Sequence, residues 1–335
     1  MKKKKNQKKK NKRKSLILLL FLTIIMFGTS TYAWFTANRV VTINDINVSV
    51  QASEGIQIST DAVNWKSVIT NTDITNGYSG SGNQLPSTVT AVSTAGVVDT
   101  DPESTTKGQL PMYIASISNA NDGSYQLTAT RDPENAGHYI AFDVFLRVNK
   151  DQVVYLTPDS KVINKEGETD KGLKNASRVA FAYKGHAESN ETSANLISLN
   201  NPTATATIWE PNAEAHSDVV VNSVAPDYGV TLGTPKTTYY GLKTAVPSAV
   251  SLKTIVKSGI SDYTSTMTTT ATASDTTDYT QILSLTAGIT KYRVYMWIEG
   301  QDIDCENNAT GSNIIFKLQL STDNGTSSAA SSSNG

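Results

Sequence analysis

Apolar and polar positions alternate along much of the chain, most sharply in four places. Ile46, Val48 and Val50 interleave with Asn47, Ser49 and Gln51. Ile140, Phe142, Val144, Leu146 and Val148 share one side of an extended segment, with Asp143 and Arg147 on the other. Tyr292, Val294, Met296 and Ile298 alternate with Arg293, Tyr295, Trp297 and Glu299. Ile314, Phe316, Leu318 and Leu320 alternate with Lys317 and Gln319. A period of two sends successive side chains to opposite faces of a strand, one toward a core and one toward water. The 291–298 segment is apolar or aromatic on both faces and predicts a central strand, whereas 314–320 predicts a half-exposed one.

Weaker strand patterns lie at 55–59, 111–118, 125–130, 152–157, 178–184, 204–209, 236–240 and 281–286. They are rich in Thr, Val, Ile and Tyr, with Gly, Asn, Asp and Ser between them, the composition of short strands joined by turns. Helical periodicity is scarce; its best instance is 248–258, just after Pro247. Residues 71–109, 159–175 and 260–280 lack either period and predict loops. The fold class is therefore all-β, a jelly-roll or β-sandwich domain over 34–320 with elaborated loops and large insertions. The Thr-rich stretch 260–280 reads equally as a long excursion or as a linker between two domains.

The chain begins differently. Ten of residues 1–14 are Lys or Arg, and no acid precedes Asp45. An apolar run follows from Leu16 to Phe27, interrupted by Thr23, and then the small and polar stretch Gly28 to Ala33. A basic head, a short apolar core and a small-residue exit are the three parts of a secretory signal peptide. The twelve residues of this run make a helix of about 18 Å, short of the roughly 30 Å hydrocarbon core of a bilayer. The expected cut falls between Ala33 and Trp34, giving a 1–33 signal peptide. Retention as an anchor is the alternative. At the other end, 321–335 is small and polar and predicts a disordered tail.

Charge changes with that reading. The whole chain carries 29 basic and 30 acidic groups. Removing the ten basic groups of the head leaves 19 against 30, a net of −11. That excludes the basic folded domain of a nucleic-acid binder, and leaves contact with the membrane to export alone. The single cysteine, Cys305, cannot form a disulfide within the chain. Stability must then rest on a core, and Cys305 reads as a small buried hydrophobe.

Enzyme signatures are missing. The three histidines, His138, His186 and His216, are far apart and none is followed by Glu, so no HExxH zinc helix exists. No GxSxG elbow occurs. Cys305 lies between Asp304 and Glu306, whose charges disfavour a thiolate. Asp302, Asp304 and Glu306 stand at the first, third and fifth positions of a calcium-loop-like stretch. Its sixth and twelfth positions are Asn307 and Asn313, where an EF-hand needs Gly and Glu. A polar turn is the favoured reading there, and a non-EF cation site the weaker one. Trp65, Trp209 and Trp297 suit core packing better than sugar stacking. No catalytic residue and no cofactor are expected.

The stretch GTSTYAWFT, Gly28 to Thr36, resembles the SipW-type signal peptides of TasA- and camelysin-like surface proteins of Bacillota. The resemblance continues loosely through GIQISTDAVNWKSV (Gly55 to Val68), TIWEPNAEAH (Thr207 to His216) and RVYMWIEGQDIDC (Arg293 to Cys305). It implies a jelly-roll domain released by a SipW-type signal peptidase and, in fibre-forming members, assembled into biofilm matrix by donation of an N-terminal strand. Here that donor is Trp34 to Asn44, with Trp34 and Phe35 as aromatic anchors and Val40, Val41 and Ile43 as β-formers. The chain is longer in its middle than a minimal member. The expectation is a secreted structural surface protein that associates with itself or with related matrix proteins. The alternative is a non-polymerising adhesin or carbohydrate-binding module.

Overall fold

The structure, a computed structural model, describes residues 48–53, 55–121, 125–167, 170, 172–213, 238–251, 262–272, 277–300, 302, 305 and 313–325. The signal peptide, the Ala33–Trp34 cut, the donor segment, Asp304, Glu306 and His216 lie outside them. So does the tail beyond residue 325.

Alternating segments form strands, as expected, and the chain is all-β. Among the described residues there are seventeen strands. Those that build the two main sheets are β1 (Val48–Ala52), β2 (Ile56–Ser59), β3 (Val68–Ile69), β6 (Ile140–Val148), β7 (Gln152–Leu156), β8 (Lys161–Asn164), β9 (Ser177–Ala187), β10 (Thr207–Glu210), β14 (Thr270–Ala271), β15 (Thr280–Leu285), β16 (Gly288–Ile298) and β17 (Ile314–Ser321). Between them come β4 (Met112–Asn119), β5 (Tyr125–Asp132), β11 (Thr238–Leu242), β12 (Val246–Ser251) and β13 (Thr264–Thr268). Two short α-helices, α1 (Asn71–Asn76) and α2 (Ser193–Ser198), and a 3-10 turn at Leu173–Ala176 accompany them.

One six-stranded sheet runs β14-β10-β9-β16-β6-β2; the other runs β15-β7-β17-β1-β3, with β8 also on β17. A single apolar cluster joins them. It takes Phe142, Val144, Tyr292, Val294 and Met296 from the first sheet and Val154, Leu285, Phe316 and Leu318 from the second. β16 pairs with β6 on one side and β9 on the other and is buried along its whole length, the central strand that its two apolar faces predict. β17 is half-exposed on its Ile315–Gln319 face, also as expected. The chain closes on itself where β1 lies parallel to β17. That parallel pair makes the second sheet mixed, a feature outside a plain antiparallel jelly roll.

Three expectations are corrected. The helix expected over 248–258 is, in its described part, the end of strand β12. β12 is the edge of the β12-β5-β4 sheet, and an edge tolerates Pro247 because its missing N–H leaves no ladder bond unmade. The loop expected over 260–280 contains β13 and β14: its threonines are β-branched, and β13 gains a full partner in β11. The loop expected over 159–175 contains β8, held by β17. The 71–109 stretch, by contrast, is largely irregular and lies over the first sheet.

Candidate functional sites

The face of the first sheet turned away from the shared core is where charge collects. On β16 the residues alternate with the core set, so Lys291, Arg293, Tyr295 and Trp297 share this outer face. Opposite Arg293 in the ladder stand Asp143 on β6 and Ala182 on β9. Alternation predicts such residues to meet water. Instead Asp143, Lys291 and Arg293 are each 3 % exposed, because the irregular 71–109 segment and the 131–139 turn fold over them.

These groups neutralise one another. Arg293 Nη1 donates to Asp143 Oδ1 at 2.8 Å and to the Ser81 carbonyl at 3.1 Å, and its Nε donates to Glu134 Oε1 at 3.2 Å. Lys291 Nζ lies 3.2 Å from Asp143 Oδ2 and donates to Tyr78 Oη at 3.1 Å and the Ile197 carbonyl at 2.6 Å. The Tyr78 hydroxyl donates to Asp143 Oδ2, and the Tyr295 hydroxyl to Glu134 Oε1 at 2.6 Å. Burial alone would raise the Asp143 pKa, but the charges of Arg293 and Lys291 outweigh it and hold the carboxyl below the usual range. Burial and the neighbouring carboxylates push the Tyr78 and Tyr295 hydroxyls far up, so both stay protonated. Two cations thus sit against two carboxylates, Asp143 and Glu134.

Above this network opens a cleft of about 690 Å³. Besides the paired groups it is lined by three more cations, Lys107, Arg131 and Lys184, with the amides Gln109, Asn135 and Asn200 and the hydroxyls Thr106 and Ser198. Lys184 arrives there by a β-bulge. Lys291 pairs with Gly185 but Tyr292 pairs with Tyr183, so Lys184 is the extra residue of β9. Such a bulge re-aims a side chain. Gly185 supports it at φ 142°, a conformation closed to most side chains. Lys184 is 8 % exposed and lines the cleft. Burial lowers its pKa to about 8.

On the opposite face of β9 lies a second opening. Among the described residues strand β15 is the edge of its sheet, and β10 pairs with β9 only from Val179 to Phe181. Between them runs a groove of about 350 Å³ lined by Phe181, Tyr183, Tyr292, Ile282 and Leu283, with Thr203, Thr205 and Thr207 at its side. The three rings pack edge to face, Tyr292 against Phe181 at 6.5 Å and against Tyr183 at 5.8 Å.

The residues singled out in the sequence are placed as follows. Asp302 is 2 % exposed, with its carboxylate on fully buried Arg178, which also meets Glu210 at 2.8 Å. Among the described residues no group of three acids, histidines or cysteines is placed to hold a metal. His138 Nδ1 faces Asp132 at 2.8 Å and His186 Nδ1 faces Thr290 at 3.3 Å. Trp209 and Trp297 are core residues at 1 % exposure; Trp65 is half-buried beneath the Arg147 guanidinium, 4.1 Å from its ring centre. Cys305 belongs to the shared core. No helix among the described residues is long and apolar enough to cross a membrane. The Lys184 cleft escaped the sequence reading. Its signal was a lysine breaking an apolar alternation directly before a glycine.

Compared with protein-family models, curated proteins and solved structures, the chain gives no match.

Proposed function

We propose that this chain is a secreted, non-catalytic structural protein of the cell surface that assembles into fibres by donating its N-terminal strand to a neighbouring copy. The observation that carries this reading is the groove between β15 and β9. It offers the backbone of a strand that is an edge among the described residues, beside an aromatic floor, the two things an added strand uses. The occupant is the segment Trp34, Phe35, Val40, Val41 and Ile43 of a second copy. Residues 34–47 precede β1 and at about 3.3 Å each reach some 46 Å, enough to cross to a neighbour. A donor at one place and an acceptor at another make a head-to-tail contact that does not close, hence a fibre. The resemblance of Gly28 to Thr36 to SipW-type signal peptides supports export through that peptidase, cleavage after Ala33, a jelly-roll relative as ancestor and a place in a biofilm matrix. The mutual neutralisation of Asp143, Glu134, Lys291 and Arg293 supports a structural rather than an acid–base role for the buried charges.

The test is electron microscopy and light scattering on the chain as an exporting host releases it. Filaments are expected from the intact chain and none from a chain lacking 34–43. A stable monomer in both, or filaments in both, overturns strand donation.

A further inference from the structure

A lysine packed into a partly dry cleft favours a nearby anion, because burial weakens its contact with water. Lys184 is such a residue: 8 % exposed, it lines the cleft. The nearby carboxylates Asp143 and Glu134 are ion-paired with Lys291 and Arg293, so the attraction they exert on Lys184 is shared with two other cations. Lys107 and Arg131 line the same cleft and take part in no ion pair among the described residues; Arg131 donates only to Gln109, at 3.5 Å. The cleft lining therefore carries five cations, Lys107, Arg131, Lys184, Lys291 and Arg293, against two carboxylates, Asp143 and Glu134, on a chain whose mature part is acidic. Its backbone is shaped around one of them. Gly108, at φ 80°, passes so close that a Cβ there would stand 2.2 Å from Lys184 Nζ and 2.3 Å from Asn200 Oδ1.

We propose that this cleft binds an acidic glycan. Lys184 at its floor and Lys107 and Arg131 at its rim hold a carboxylate or phosphate, and Asn200, Gln109 and Thr106 hydrogen-bond the hydroxyls beside it. The volume of about 690 Å³ suits a ligand of two or three sugar units. The amide and hydroxyl lining offers paired donors and acceptors, which a polyol uses and an apolar ligand does not. An occupant anion balances the excess of cations in the lining. The site lies on the face of β9 opposite the strand-accepting groove, so it stands or falls independently of fibre formation.

Calorimetric titration of the released chain at pH 7 tests this with three probes: trigalacturonate for the carboxylate, a glycerol-phosphate trimer for the phosphate, and maltotriose as neutral control. At least one acidic probe is expected to bind about tenfold or more tighter than maltotriose, a difference of one charge-assisted contact. Which one binds says whether the natural source is a uronic-acid or a phosphate-bearing polymer. Binding is expected to weaken about tenfold in Lys184→Gln, and also between pH 7 and pH 9.5 as the amine loses its proton. The double variant Lys107→Gln/Arg131→Gln alters only partly or fully exposed positions and so remains informative if Lys184→Gln is poorly folded; it too is expected to bind several-fold more weakly. Equal binding of the acidic and neutral probes, no binding of any, or unchanged affinity in both variants overturns the proposal.

Discussion

Asp143 and Lys184 share one face of one sheet, and their charges act on stability in opposite directions. Asp143 ionised is held by Arg293 and Lys291, so Asp143→Asn leaves buried cations short of a partner and is expected to cost about 3–5 kcal/mol at pH 7 in urea unfolding. Its folded pKa lies below the ordinary 3.8, so this contribution is complete above that value and disappears as pH falls through the folded pKa; the gap between parent and variant should close in acid. For Lys184 the folded pKa lies near 8 and the ordinary value at 10.5. The unfolded chain therefore binds the extra proton between those values, and the fold bears the penalty in full below pH 8 and sheds it as pH rises. Lys184→Met is expected to stabilise the chain by about 1–3 kcal/mol at pH 7, with the gain shrinking toward pH 10.5. A variant that is more stable but binds the acidic glycan about tenfold more weakly is the signature of a residue kept for function. Neither residue's burial was legible in the sequence. Alternation shows that Asp143 lies opposite the core face; it says nothing of what folds over that face, and the 71–109 stretch that does so has no periodicity to place it.

At the scale of elements, the strands with uninterrupted alternation were the legible ones. β6, β16 and β17 stand where their patterns put them, and so do most weaker candidates. β3, β8, β13 and β14 were not, because each is short or built of threonine and takes its conformation from a ladder partner rather than from its own pattern. The bulge in β9 belongs to the same class. Lys184 and Gly185 end the alternation of 179–183, but only the register against β16 shows an inserted residue. Replacing Gly185 tests its role. At φ 142°, with the Leu199 side chain 3.1 Å from where a Cβ would stand, Gly185→Ala is expected to cost about 1–3 kcal/mol. By pulling β9 toward regular pairing it should also displace Lys184 and lower acidic-glycan affinity together with the melting temperature.

For the whole molecule, the two six-stranded sheets enclose one apolar core and leave two openings on opposite faces of β9, a cationic cleft outside and an aromatic groove at the flank. The all-β class was readable from pattern and composition, while both openings depend on how the segments pack in space. In the proposed fibre the flank is filled by a neighbour, and the cleft remains free to bind. Groove and donor must then be separable. Tyr183→Glu places a charge in the groove and is expected to block acceptance while leaving residues 34–43 able to donate. A chain lacking 34–43 can accept but not donate. Each variant alone should stay monomeric. Mixing the two and measuring mass by light scattering on a sizing column is the most direct measurement of strand donation. The account predicts a one-to-one pair of about twice the chain mass and nothing larger. A mixture that remains monomeric, or a single variant that polymerises unaided, would contradict it.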